Sequence, residues 1–295
     1  MLLANAALIS SPTMRMSVLQ LKVWLPSVQF ISVANKYVLD TAGVPPIPPH
    51  NSSGSSVIDN PLYSNREKTV ATLWEQLQRV RVIHARGTPT SGKSILARLL
   101  KKHVERVRPD MQVHLFNWPA NTKGFEYSNY YYLLNEITGE PKTVSDTWLE
   151  RKNTLVIIDE AQRSYEFLNL WDQFIKPLAS QDVNGPWVIL FSSFGSPTET
   201  LVASCGGSAP VEFDTTQRVS IRPLSFTNPN VSLYFTRDEF EDVLARVCKC
   251  YSEEEGNLFS LSPKLVHNIW EITNGHPGAV RVVLDMLAHS EVSIG

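Results

Sequence analysis

Cysteine is scarce in this chain: Cys205, Cys248 and Cys250 are the only three among 295 residues. An odd number without metal-ligand spacing builds neither a disulfide framework nor a zinc site, and it fits a reducing interior. Cys248 and Cys250 read as a pair near a helix end. An excess of one charge is also missing, since 27 basic side chains stand against 29 acidic ones and the net charge is −2. Bulk electrostatics therefore give no support for nucleic acid or an anionic membrane as a partner. No run of 18 apolar residues occurs, so the sequence offers no candidate membrane span. The opening Met1-Leu2-Leu3-Ala4 is hydrophobic but has neither a preceding basic residue nor a cleavage context. An intracellular location, cytoplasm or nucleus, is expected.

What is present is apolar content enough for a sizeable core, 43% of the residues, which at this length suits one α/β domain with a smaller one appended. Residues 1–60 differ from the rest. They end in Val44-Pro45-Pro46-Ile47-Pro48-Pro49 and then Asn51-Ser52-Ser53-Gly54-Ser55-Ser56, a composition that reads as a spacer. The expected division is an N-terminal extension over 1–60, an α/β core over 61–224 and a helical lid over 225–295.

The core carries the chemistry. Gly87-Thr88-Pro89-Thr90-Ser91-Gly92-Lys93-Ser94 matches the pattern G-x-x-x-x-G-K-[ST], between a β-type run ending at Ala85 and a helical pattern through Ile95, Leu96, Leu100 and Val104. In that context the loop suits a nucleoside triphosphate. Gly87 and Gly92 allow close backbone wrapping, the loop N–H groups and helix terminus face the phosphates, Lys93 reaches the β- and γ-phosphates, and Ser94 ligates Mg²⁺. A second signal is Thr154-Leu155-Val156-Ile157-Ile158-Asp159-Glu160. A strand buried on both faces has no structural use for adjacent acids at its carboxyl end. Asp159 is expected in the Mg²⁺ shell, and Glu160 is expected to orient or deprotonate the attacking water.

Around these motifs the patterning predicts further strands near 111–116, 187–193 and 217–224, and a helix over Tyr165–Leu178. Capping boxes are expected at Ser64/Glu67 and Thr236/Glu239, the second with a Phe235/Phe240 hydrophobic staple. Ser262-Pro263 opens one C-terminal helix, Gly275 closes it and Pro277 opens the next. An acid-bearing strand separated from the loop strand predicts a parallel five-stranded sheet in the order 5-1-4-3-2. Tyr130, Tyr131 and Tyr132 suit core packing better than base stacking.

Together, the loop, Leu155–Gln162 with Ser164-Tyr165, Phe194-Gly195-Ser196-Pro197, Gln217–Pro223 and Phe235–Phe240 resemble the P-loop ATPase module of fungal crinkler-type proteins. More distantly they are similar to signal-transducing ATPases related to the AAA+ group. The resemblance spans about residues 61–290. The ubiquitin-like and nuclease-like or kinase-like regions that often accompany such modules are not recognisable in these residues, and secretion as an effector would rest on the resemblance alone. It implies a P-loop NTPase fold with a lid, ATP and Mg²⁺ as ligands, and a protein partner or self-association.

By the same resemblance, Gly275-His276-Pro277 would set Pro277 against the adenine and Arg281 would face the phosphates. Ser192 or Ser193, at the end of the fourth strand and with Ser193 taken as the candidate, would sense the γ-phosphate, and Arg218 would contact it within one subunit or across two. A P-loop small-molecule kinase and a non-hydrolysing nucleotide-binding scaffold remain as alternatives to an ATPase or ATP-driven switch.

Overall fold

The computed structural model describes residues 62–119, 130–140, 148–193, 211–222, 231–255 and 260–288. The extension 1–60, Cys205 and the stretch Phe194–Pro197 lie outside them. Helix α1 (Glu67–Val80) leads into β1 (Val82–Arg86), and the glycine-containing loop into α2 (Lys93–Val107). β2 (Gln112–Asn117), α3 (Tyr130–Thr138), β3 (Thr154–Asp159), a helical run α4 over 168–179 and β4 (Trp187–Ser192) follow. β5 (Arg218–Val219) closes the sheet, and α5 (Arg237–Glu255), α6 (Pro263–Thr273) and α7 (Pro277–Ala288) form the helical end.

The sheet order is β2-β3-β4-β1-β5 with every pairing parallel, which is the expected 5-1-4-3-2 counted from the other edge. The sequence explains it. β3 is buried at all of its positions, as a β-branched strand with neighbours on both sides and helices on both faces must be. Leu73, Leu77, Leu96 and Leu100 of α1 and α2 cover one sheet face, and Leu133, Leu134, Phe174 and Leu178 cover the other. A third cluster, around Phe240, Val247, Ile269 and Leu284, belongs to α5–α7. Tyr130 joins the second core cluster, in keeping with a packing role for the tyrosine triplet. Because the register places Arg86 beside Ser192 and Ile158 beside Leu190, the loop, Asp159 and the end of β4 all emerge at one carboxyl edge.

Three local expectations are corrected. Ser64 and Glu67 form no capping box: Ser64 Oγ accepts from the Arg66 N–H at 3.3 Å, and the N-cap is Arg66 itself, left-handed at φ 47°. That turn delivers the Arg66 guanidinium to the interior, which outweighs the lost cap. The helix expected from Tyr165 begins at Leu168, after a 3-10 turn over Ala161–Ser164, and holds a π-helical turn over Trp171–Ile175. Pro177 supplies a cause, since it lacks an N–H and crowds the preceding turn, and the wider π spacing lets the Lys176 N–H reach Trp171 O. β5 is far shorter than 217–224. The carbonyls of Ser220 and Ile221 accept from Leu233 and Tyr234 N–H, so the backbone leaves β1 for the segment that opens the lid.

His84 on β1 is buried, with Nε2 2.7 Å from Ser192 Oγ. Burial, aided by the Arg86 and Arg218 cations, pushes its pKa down from 6.5 to about 3. The unfolded chain therefore takes up this proton first, so stability is full above pH 6.5 and falls as pH drops toward 3, by up to about 1.4 kcal/mol per pH unit. Urea midpoints measured from pH 7 to 4.5 should decline in the native chain and decline less steeply in His84→Gln.

Candidate functional site

The loop is shaped by what surrounds it. Thr90 and Gly92 adopt positive φ, 60° and 87°, the successive reversals that turn backbone amides toward one concave face. A Cβ on Gly87 would collide with Leu233 Cδ1 and Ser91 Oγ, so a side chain here would force both to shift. Gly87 N–H donates to Ser192 O at 3.0 Å, tying the loop to β4. At the loop's centre Ser91 is fully buried, and its Oγ has no hydrogen-bond partner among the described residues. Such an orphaned polar atom calls for an absent partner.

Lys93 is buried, and its ammonium donates to the carbonyls of Gly87 and Thr88, both at 2.8 Å. Burial lowers its pKa, opposed by the negative charges of Asp159 and Glu160. A desolvated cation facing two acids gains further from any anion placed against it. Asp159 is buried, with Oδ1 accepting from the Glu160 N–H at 2.9 Å. Glu160 is half-buried and left-handed at φ 53°, a conformation costing a non-glycine residue roughly 1–2 kcal/mol. Strain at the end of a buried strand, beside a cavity, is the pattern found where backbone geometry serves chemistry.

The helical lid lies directly on this loop. Gly278 N–H donates to Thr90 O at 3.1 Å. A Cβ on Gly92 would meet Pro277 Cγ at 3.3 Å, and one on Gly278 would lie 2.5 Å from Thr90 Oγ1. His276 is buried, and its Nδ1 accepts from Ala279 N–H at 3.1 Å. That leaves Nε2 to carry the proton facing Thr88 Oγ1, 3.4 Å away. Burial lowers the His276 pKa, which favours this neutral ring.

A cavity of about 590 Å³ opens between loop and lid. Its phosphate-loop wall is Pro89–Ile95, and Glu160 and Ser193 lie at the sheet edge. Pro277, Gly278 and Arg281 come from α7, while Tyr63, Arg66, Phe235 and Val243 line the remainder. The geometry thus gathers Pro89, Thr90, Ser91, Gly92, Lys93, Ser94, Ile95, Glu160, Ser193, Pro277 and Arg281. Gly87 and Thr88 lie behind Lys93, as the carbonyls it binds. Ser193, and not its buried neighbour Ser192, faces the cavity. Arg281 is engaged by Asp285 at 2.8 Å. Arg218 is exposed on β5 and does not line the cavity. Pro277 packs against Gly92 itself, so the free volume lies beside that contact rather than between proline and loop.

Sheet order, strand–loop–helix unit and acid-bearing third strand together make this a P-loop NTPase fold. No protein-family model and no curated protein matches the chain. Among solved structures it is similar to the Walker-type ATPase PABY2304 of Pyrococcus abyssi, at 14% identity and a TM-score of 0.43, over 76% of this chain and 67% of that one. Hsp104, bound to ATPγS and casein, is similar at 16% identity and a TM-score of 0.42, over 77% of this chain and 37% of that one. Domain III of the Thermotoga maritima replication initiation protein DnaA is similar at 14% identity and a TM-score of 0.40, over 78% and 88% of the two chains. The chain therefore spans little more than a third of the Hsp104 chain. At these values the likenesses add nothing to what the loop and sheet already establish. Among the described residues, no helix is long and apolar enough to cross a membrane.

Sequence reasoning passed over Arg66. Its guanidinium is buried, donates to the carbonyls of Ser232, Leu233 and Tyr234 at 2.9–3.2 Å, and pairs with Glu239 at 3.1 Å. Glu239 also accepts from Thr69 Oγ1 at 2.5 Å and completes the expected box with Thr236, whose Oγ1 receives its N–H. One carboxylate thus joins α1 to the start of the lid. Nothing in the arginine's local spacing marked it, because its three carbonyl partners lie 166 to 168 residues away and Glu239 lies farther still. Glu239→Gln should cost about 3 kcal/mol in urea unfolding, the cost of leaving a buried cation without its counter-charge, whereas Thr236→Ala should lose only the cap, about 1 kcal/mol. Equal small losses would show that the ion pair is not what fastens the lid.

Proposed function

We propose that the chain binds Mg-ATP in this cavity and hydrolyses it, acting as an ATPase or an ATP-driven switch. The observation that carries the reading is that Lys93, Glu160, Ser193 and the α7 residues Pro277 and Arg281 share one cavity of a volume usual for small-molecule sites. The buried Ser91 Oγ, without a partner among the described residues, and the desolvated Lys93 ammonium both fit an anionic ligand. Ser94, which lines the cavity, and Asp159, buried at the end of β3, would hold Mg²⁺, which takes one or two protein oxygens together with substrate phosphates. When bound, the ion would neutralise charge developing on the phosphates.

In this reading Lys93 exchanges the Gly87 and Thr88 carbonyls for β- and γ-phosphate oxygens. Glu160 accepts a proton from the water whose oxygen attacks the γ-phosphorus, as the bond from that phosphorus to the β-bridging oxygen breaks, and ADP and phosphate leave. Ser193 contacts the γ-phosphate. The lid loop, held by Gly278 N–H and His276 on Thr90 and Thr88, transmits the loop's state to α5–α7 and so to a protein partner or a second copy. The crinkler-type resemblance is the finer part of this proposal. It is supported only by sequence, and the stretches that carry it also have structural uses: Gln217 closes a capping box with Asp214 and donates to Ala179 O at 2.7 Å.

Calorimetry and phosphate release with Mg-ATP and Mg-GTP test the reading. Lys93→Ala should lose binding by about tenfold or more, as expected for one charge-assisted contact, and Glu160→Gln should bind ATP without turning it over. Unaltered affinity in Lys93→Ala would reject the site, and loss of binding in Glu160→Gln would reassign Glu160 to a structural role. Pro277→Ala should weaken ATP and ADP alike and spare kcat, the signature of uniform binding.

A further inference from the structure

Gln162 lies just behind the cavity and touches two of its walls at once. Its Nε2–H donates to Glu160 Oε2 at 2.6 Å, and its Oε1 accepts from the Ser193 N–H at 3.1 Å. A reversed amide would set oxygen against carboxylate and NH₂ against N–H, so the two partners dictate one orientation. Glu160 N–H in turn donates to Asp159 Oδ1. A single hydrogen-bonded line therefore runs from the end of β3, through Asp159, Glu160 and Gln162, to the end of β4 at Ser193. Arg163 also approaches Glu160 Oε2, at 3.8 Å, but it is exposed and such a pair contributes little. Glu160 and Ser193 line the cavity whereas Gln162 does not, so Gln162 acts through its partners.

We propose that Gln162 is a positioning residue that holds the Glu160 carboxylate in step with the end of β4, so that a γ-phosphate displacing Ser193 reorients the base through one amide. The proposal rests on the ATPase reading for its consequence in turnover, but the coupling itself belongs to the nucleotide-free protein. Side-chain chemistry makes glutamine suited to the task. It is neutral, so it does not repel Glu160, and it carries a donor for one wall and an acceptor for the other. Aspartate or glutamate here would place like charges together, and alanine would leave the carboxylate of a strained residue free to choose among rotamers.

Two variants separate the two ends of the amide. Gln162→Ala should lower kcat for Mg-ATP by roughly tenfold or more with KM within about twofold, and should speed hydrogen exchange of the Ser193 amide in the nucleotide-free chain by about tenfold. Gln162→Glu keeps the acceptor for Ser193 and loses the donor for Glu160, so it should retain Ser193 protection yet lose kcat as far as the alanine variant does. Glu160→Ala, without nucleotide, should speed Ser193 exchange by about threefold if the line is coupled. Native kcat in Gln162→Ala, a KM that rises in step with the loss, or Ser193 exchange unaltered in Glu160→Ala would overturn the proposal. Calorimetry of the native chain showing no Mg-ATP binding would instead reject the ATPase reading, and the exchange measurements would still decide the coupling.

Discussion

The buried guanidinium of Arg66 is the contact on which the rest of the arrangement depends. Removing a cation from water is costly, and it is tolerated here because one carboxylate and three carbonyls surround it. Those partners belong to different parts of the chain: the 232–234 segment that pairs with residues 220 and 221, and Glu239 in the first turn of the lid. Meeting them fixes where the lid helices start relative to α1. The cavity follows from that placement, since Tyr63, Arg66, Phe235 and Val243 are among the residues that line it. The helix cap that the Ser64–Glu67 spacing offered is given up for this, and Arg66 takes a left-handed backbone instead.

The second constraint is the contact between lid and loop. Gly92 and Gly278 are both needed because the approach is too close for a Cβ at Gly278 and tight at Gly92, and the Gly278–Thr90 hydrogen bond ties α7 to the loop backbone. Rigid packing of this kind is bistable rather than elastic. Any ligand that claims Lys93 must alter the carbonyls beneath it, and Thr88 carries both one of those carbonyls and the hydroxyl that faces His276. Loop chemistry and lid position are thereby linked through one residue.

Most of the site's wall was legible in the order of residues. Gly87 to Ser94 stands out because its pattern is a local matter of glycine, lysine and hydroxyl spacing, and Asp159 and Glu160 stand out because acids end an otherwise apolar strand. Pro277 and Arg281 line the cavity, while Arg218 remains on the outer strand, exposed. Gln162, His276 and Arg66 carried no comparable signal. A glutamine two residues after an acid, or an arginine before a helix, gains meaning only from partners brought close in space: Ser193 for the first, residues 232–239 for the second.

Sequence alone determined the elements and their sheet order. Apolar periodicity, a fully buried β-branched strand and turn residues act over a few positions, and a parallel sheet with crossover helices admits few ways of stacking them. The boundaries were another matter. β5 stops at Val219 because residues 220 and 221 find better backbone partners in 233 and 234, and the helix before β4 widens into a π turn ahead of Pro177. Only the tertiary structure decided those, and with them which serine faces the cavity, how the lid meets the loop and what holds Glu160. Each depends on a hydrogen bond or close approach between residues distant in the chain, and no local pattern records such a meeting.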